Sequence, residues 1–596
     1  MTLPLRVRPS LRTASTLAGL PLLLLAACNT TQPARPAAAG NPPGATAPVG
    51  QVLAEVPPAP PPTLRDDAVD VMNTTDAQRK SLAAPAAPES RARLGYAAAL
   101  SMPVQQPPDE RERYAPIKDN GVVAAATQPF STFSVDVDTG SYANVRRFLN
   151  EGQLPPPDAV RVEELVNYFP YQYAEPQQVA GTRAPFGVTT EVAASPWNRD
   201  ALLVRVGIKA FDQPRSALPA SNLVFLVDVS GSMDEPAKLP LLKNALRLMV
   251  DGLRPEDHVS LVTYASGTRV VLPPTPGRDK AAIRLAIDQL EAGGSTAGAA
   301  GIQLAYRMAQ QGYIQDGINR ILLATDGDFN VGTTDFEQLK GMVAEKRRSG
   351  ISLSTLGFGV GNYNEQMMEQ VADAGDGNYS YIDTLGEAQK VLVEEAASTL
   401  SVVARDVKVQ VEFNPAVVAE YRLIGYENRA LAREDFRNDK VDAGEVGAGH
   451  TVTALYEVVP VGKPGLLGES RYGTSAAAAP AARAAPGHED ELGVLRLRYR
   501  TPAGAVAPEI AVTLHRPTNA TGAASDDLRF AAAVAAFGQQ LRGGKYLGSF
   551  GYAQIESLAA GARGSDRFGY RGEFLRLVKL ADALGTHAPE RVSRID

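Results

Sequence analysis

A single cysteine, Cys28, stands in 596 residues, so the chain can close no internal disulfide and can build no cysteine-based zinc site. Histidine is nearly as scarce, with His258, His450, His488, His515 and His587 making the full set. Aromatic residues supply only 6% of the chain. No basic cluster is present and the formal charge is -7, which makes the protein a poor nucleic-acid binder. Nor is there a comfortable membrane-spanning run, because the apolar stretch ending Leu22-Leu-Leu-Leu-Ala-Ala27 is too short. What the chain has in quantity is length, too much for one core and enough for roughly two to four domains.

Residues 1–27 read as a secretory signal, with basic Arg6, Arg8 and Arg12 ahead of that apolar stretch. Leu25-Ala26-Ala27-Cys28 resembles a bacterial lipobox, in which the cysteine becomes the lipidated first residue of the mature protein. By resemblance to Gram-negative lipoproteins, Asn29 after the cysteine leans toward an outer-membrane address. Residues 28–113 are dense in Pro and Ala, as in Val56-Pro-Pro-Ala-Pro-Pro-Pro-Thr63. Such a composition cannot bury enough apolar surface to offset its ordering entropy, so it reads as a disordered tether.

The remainder is organised around Leu223-Val-Phe-Leu-Val-Asp-Val-Ser-Gly-Ser-Met233. Five apolar residues in a row have the pattern of a strand buried on both faces of a parallel sheet. Alternate residues leaving a strand point the same way, so D-x-S-x-S sends the Asp228 carboxylate and the Ser230 and Ser232 hydroxyls toward one point. An all-oxygen set of this kind suits a hard divalent cation. Thr296, in Gly293-Gly-Ser-Thr-Ala-Gly298, and Asp326, after the apolar run Ile321-Leu-Leu-Ala324, are placed to complete it. Both loops that follow strands would open at the carboxyl edge of the sheet, where open α/β folds keep their ligand sites.

The order of these residues resembles the metal ion-dependent adhesion site of von Willebrand A (VWA) domains. The resemblance implies direct metal ligation by Ser230, Ser232 and Thr296, with Asp228 and Asp326 acting through water. It also implies a cation, Mg²⁺ first and Mn²⁺ or Ca²⁺ after it, that keeps an open position for a partner's Asp or Glu carboxylate. A serine hydrolase is a poor alternative, because neither serine sits in a G-x-S-x-G elbow or has a local link to a histidine. A metal-dependent hydrolase would need a general base, and Asp328 is the extra acid close in sequence. The pair Asp136 and Asp138 lacks the Glu that an EF-hand needs and reads as a strand end followed by a helix cap.

Flanking this α/β segment are strand-like runs at 186–193 and 201–209 on one side and at 407–413, 452–459, 494–499 and 510–514 on the other. Neither group makes a sheet alone. They predict one β-sandwich, 181–215 plus 404–517, with a doubly wound VWA domain at 216–403 inserted in it. Residues 114–180 form a separate N-terminal region with helices at 142–150 and 158–169. A surface insertion is expected at 474–489. Residues 518–596 should be helical, with Phe530, Val534 and Phe537 on one face of a helix at 526–541. Within the α/β segment, 386–400 reads as one closing helix.

The whole folded region resembles the bacterial YfbK-like lipoproteins with a VWA domain. The stretches that carry this are Ser131-Thr-Phe-Ser-Val-Asp-Val-Asp-Thr-Gly-Ser-Tyr-Ala-Asn-Val-Arg-Arg-Phe148, Val160-Arg-Val-Glu-Glu-Leu165, Asp228-Val-Ser-Gly-Ser-Met233 and Leu323-Ala-Thr-Asp-Gly-Asp-Phe-Asn330. The expectation is therefore an exported, lipid-anchored envelope protein, not an enzyme, that grips a protein partner through a bound cation. A structural or assembly role, with the metal only bracing the loops, is the alternative.

Overall fold

The computed structural model describes residues 112–587 except 177, 180–181, 297, 328–332, 469–485 and 518–523. The expected leader, the lipidation residue Cys28, the tether, most of the 474–489 insertion and Asp328 lie outside the described residues.

A six-stranded sheet runs in the order Tyr379–Ile382, Ser352–Phe358, Ile318–Thr325, Ser221–Asp228, His258–Tyr264, Thr268–Pro276. Its first five strands are parallel, and the last returns antiparallel along the edge. All eight residues of Ser221–Asp228 are buried, and the pleat divides them by face. Leu223, Phe225 and Val227 pack with Leu242, Leu246 and Ile287 of the helices Leu239–Asp251 and Lys280–Asp288. Val224 and Leu226 pack with Ile302, Val343 and Met368 of Gly298–Gln311, Thr333–Lys346 and Glu365–Ala374. Each such side chain contributes about 1.5–3 kcal/mol on burial, so the central strand alone fixes a doubly wound arrangement.

Two antiparallel sheets form the sandwich. One is ordered Val123–Ala124, Val418–Ile424, Thr451–Pro460, Leu202–Ala210, Phe186–Ala194, and the other Ala430–Leu431, Phe130–Ser134, Val402–Phe413, Glu491–Arg500, Ile510–His515. Their shared core draws Phe133, Val204, Val206 and Ile208 from before the inserted domain and Val409, Val411, Tyr456 and Leu495 from after it. Phe130–Ser134, from the region expected to stand apart, is thus a sandwich strand. Val418–Ile424 was not expected at all, since Glu420 and Arg422 interrupt its apolar pattern. Both are buried and answered: Glu420 accepts from the backbone N–H of Leu466 at 2.7 Å, and Arg422 meets Glu457 at 2.9 Å.

The helices Gly140–Asn150, Val162–Asn167, Asp526–Leu541, Tyr552–Ala560 and Tyr570–His587 gather over the outer face of the first sheet. Phe169 lies edge-on to Phe530 and Phe574, with centroids 4.9 and 5.8 Å away. The stretch expected as a helix over 158–169 is a turn at Pro157–Ala159 followed by the short helix Val162–Asn167. The expected 386–400 helix is likewise broken, into Leu385–Gln389, a wide turn at Lys390–Glu394 and Ala396–Leu400. There Lys390 turns inward, with its ammonium 4.3 Å from the Tyr168 ring centre and 2.7 Å from Glu395 Oε1.

A buried ionic network ties these parts together. Arg161 is 1% exposed and forks onto Glu369, Nη1 to Oε1 at 3.0 Å and Nη2 to Oε2 at 2.7 Å, while its Nε reaches Glu365 Oε1 at 3.2 Å. Arg429, from the sandwich, reaches Asp136 at 3.2 Å and Asp373 at 3.0 Å. Asp138 does not cap the following helix as expected. Its carboxylate accepts from the backbone N–H of Tyr379 at 2.9 Å, because the edge strand of the parallel sheet offers it a buried donor. Carboxylates outnumber guanidinium groups here. Burial pushes Glu163 up to about 7, with Glu427 and Asp136 adding to the shift and Arg161 opposing it.

Candidate functional site

The Ser221–Asp228 strand ends at the carboxyl edge of the parallel sheet and empties through Val229 and Ser230 into a tight turn at Gly231–Asp234. Asp228 is fully buried. Its Oδ1 accepts the Ser230 backbone N–H at 2.9 Å, and its Oδ2 accepts the Tyr264 hydroxyl at 3.1 Å and the Thr325 hydroxyl at 2.8 Å. One carboxylate thereby clamps the ends of three neighbouring strands. Burial raises the Asp228 carboxyl above its ordinary range, Ser230 and Thr325 oppose this by donating hydrogen bonds, and Asp326 adds to it. A cation close by would reverse the shift by favouring the charged form.

Ser230 Oγ and Ser232 Oγ lie 3.1 Å apart. Adjacent oxygens of an octahedron with arms of about 2.1 Å are about 3.0 Å apart, so the spacing of this pair fits the edge of a magnesium shell. The second loop is fastened to the first by backbone bonds from Gly231 N to Gly294 O at 3.0 Å and from Gly293 N to Val229 O at 2.7 Å. Gly294 has φ +88°, a conformation that favours glycine, and a Cβ there would fall 2.5 Å from Ser266 Oγ in the turn after His258–Tyr264. Thr296 follows two residues later, half-buried, just ahead of the Gly298–Gln311 helix.

Asp326 directly follows the Ile318–Thr325 strand and is fully buried. Its Oδ2 is 3.2 Å from Lys238 Nζ and 3.3 Å from Asn362 Nδ2. The five sequence-predicted residues thus occupy three loops at one sheet edge, two of them joined by backbone bonds and the third through the Thr325 hydroxyl on Asp228. Among the described residues no group of three or more His, Cys, Asp or Glu is arranged to hold a metal. Any cation here would rely on the hydroxyls, and the donors are all oxygen, as a hard ion requires.

Lys238 and Asn362 escaped sequence reasoning, as did the bracing hydroxyls of Thr325 and Tyr264. Lys238 is 2% exposed, yet in sequence it is one lysine among many. Thr325, at a strand end next to Asp326, was the one with a readable signal. The Asn362 loop is in turn strapped by the first described residues: Arg113 N donates to Tyr363 O at 2.8 Å, and Gly361 N donates to Glu112 Oε1 at 2.8 Å.

Sheet order and loops together define a VWA-domain protein, and residues 222–395 match the family model of the von Willebrand factor type A domain. Residues 108–205 match a model described as von Willebrand factor, and residues 398–584 one described as Uncharacterized protein YfbK, C-terminal. Over 476 residues the chain is 51% identical to Uncharacterized protein YfbK of Escherichia coli K12, covering 79% of this chain and 81% of that one. The protein belongs to the YfbK family. It is also 34% identical over 196 residues to Uncharacterized protein sll0103 of Synechocystis, covering 33% of this chain and 45% of that one. A solved von Willebrand factor type A structure from Catenulispora acidiphila shares 17% identity at TM-score 0.38, covering 68% of this chain and 91% of that one.

Proposed function

We propose that the protein binds a protein partner at the cell envelope through a divalent cation held by Ser230, Ser232 and Thr296, with Asp228 and Asp326 behind them. The observation that carries the reading is the hydroxyl pair of Ser230 and Ser232, 3.1 Å apart, at the end of a strand whose neighbours are clamped by Asp228. When bound, the ion supplies a Lewis-acidic open position that suits an Asp or Glu carboxylate of the partner. Neutral hydroxyls leave most of its charge available. Lys238 already supplies Asp326 with a positive charge, so bracing of that loop does not depend on the ion. This favours the binding role over a purely structural one.

In this reading the protein is not an enzyme. It is exported and anchored by a lipid at Cys28, with an outer-membrane address if the cell is Gram-negative. The test is capture of partners from envelope extract on the immobilised full chain, with Mg²⁺ or chelator, comparing wild type with Thr296→Ala and Ser232→Ala. A partner retained only by wild type with metal supports adhesion. Retention indifferent to both metal and substitution sinks it. Asp228 is the wrong residue to remove, because its loss would unclamp three strands.

A further inference from the structure

We propose that a cavity at the edge of the parallel sheet opposite the candidate metal loops is a second binding site, one that takes a short-chain monocarboxylate. The cavity encloses about 240 Å³, a little under the usual range for drug-sized ligands. It opens at the start of the strands Ile318–Thr325 and Ser352–Phe358, where the chain enters the VWA domain at Pro219 and leaves it through residues 400–402.

Arg320, Arg347, Arg405 and Asp376 are its charged lining residues. Asp376 meets Arg347 at 2.6 Å and Arg405 at 3.1 Å, and Arg347 also meets Asp442 at 2.7 Å. Arg320 is 2% exposed and has no ion pair among the described residues. Its Nη1 donates to Ser354 Oγ at 2.7 Å and to Asn378 Oδ1 at 3.5 Å, and its Nε is covered and unpartnered. Its Nη2 is also unpartnered but is not covered, so it is the donor the cavity can reach. The Nη2 atoms of Arg347 and Arg405 have no hydrogen-bond partner among the described residues either, and the Arg405 side chain is 39% exposed. Three guanidinium charges thus stand against the two carboxylates of Asp376 and Asp442, which leaves one positive charge over. The other carboxyl nearby, Glu445, forms no ion pair among the described residues, and burial, with Asp376 and Asp442 adding to it, holds this group well above the ordinary carboxyl range. It is neutral near pH 7 and gives Arg320 no counter-charge.

A buried guanidinium without a counter-charge is costly, and a carboxylate is an acceptor that suits its donors. One surplus charge matches a monoanion, whereas a dianion such as sulfate would bring an excess of its own beside Asp376. The half-buried side chains of Ile318, Leu400 and Val402 complete the wall. They offer a short alkyl chain an apolar seat that chloride or an inorganic oxyanion would not use. Arg320 belongs to the parallel sheet and Arg405 to the sandwich strand Val402–Phe413, so the bound acid would join the two domains at their junction.

The test is calorimetric titration of the full chain, in chloride at fixed ionic strength, with butyrate, butyramide and sulfate. Butyrate should bind saturably at one site, about tenfold more tightly than butyramide, and should raise the melting temperature as it fills the site. Sulfate should not displace it, and chelator should leave it unchanged, which separates this site from the candidate metal loops. Arg320→Met should abolish butyrate binding. Arg405→Gln, at a position open to solvent, tests the same point without a change in the core: it should keep a cooperative melt and weaken butyrate about tenfold. Equal binding of butyrate and butyramide, displacement by sulfate, unchanged affinity in Arg405→Gln, or no binding of butyrate overturns the proposal.

Discussion

Replacing Arg161 with methionine, of similar length but without charge, should be among the most damaging single changes away from the loops. The guanidinium is 1% exposed and serves Glu365, Glu369 and, at 3.4 Å, Glu164, all buried. Removing one partner of such a group leaves uncompensated buried charge, at about 3–5 kcal/mol. That is a large share of the roughly 5–15 kcal/mol that holds a domain folded. The loss should depend on pH with a definite sign. Burial already raises Glu365 and lifts Glu369 to about 7, and Arg161 is the leading influence opposing both shifts. In Arg161→Met these carboxyls would stay protonated to higher pH in the folded state than in the unfolded chain. Stability must then fall as pH rises from the unfolded value, about 4.5, through 7. Urea unfolding of wild type and variant at pH 5 and pH 7.5 measures this. The deficit should be several kcal/mol at pH 7.5 and shrink to less than half of that at pH 5. A deficit below about 1 kcal/mol at pH 7.5, or one equal at both pH values, would refute the account of the network as charge-compensated.

Two further outcomes follow from particular contacts. Lys238→Met removes a buried positive charge held 3.2 Å from Asp326 and should strengthen Mg²⁺ binding about tenfold; an unchanged affinity in a calorimetric titration speaks against Lys238 as a competitor of the ion. Glu163→Gln mimics the protonated form of a carboxyl raised to about 7 by burial, with one oxygen lacking a partner among the described residues. It should lie within about 1 kcal/mol of wild type near pH 5 and be more stable by up to about 3 kcal/mol at pH 8; a variant less stable than wild type at pH 8 in the same urea assay contradicts it.

The readable parts of the chain were those in which local pattern and long-range packing agree. The D-x-S-x-S motif at the end of an apolar strand was legible before any partner was known, although it is the turn at Gly231–Asp234, not continued alternation, that brings Ser232 beside Ser230. The helix Asp526–Leu541 was legible too, with Phe530, Val534 and Phe537 buried as expected, though the alanines of its other sides, Ala531, Ala532, Ala533, Ala535 and Ala536, are buried as well. What failed to show was set by residues distant in sequence. Val418–Ile424 resembles a polar loop until Glu457 and the backbone at Leu466 answer its two charges. Lys238 becomes a buried site residue only because Asp326 and Asn362 are brought to it. The break at Lys390–Glu394 depends on Tyr168 from the N-terminal region, which no helical periodicity encodes.

The bracketing of one domain by the strands of another also sets an order in time. Leu202–Ala210 pairs with Phe186–Ala194 at once, as a hairpin, but its other neighbour is Thr451–Pro460. Every strand of the parallel sheet lies between them in the chain. During synthesis the inserted domain is complete while the hairpin still shows Val204, Val206 and Ile208 to solvent, waiting for the strands that will cover them. Distant pairings of this kind are slow, and apolar surface left open in the meantime invites aggregation. The arrangement that locks the finished protein together is the one that leaves its half-made chain most in need of a chaperone.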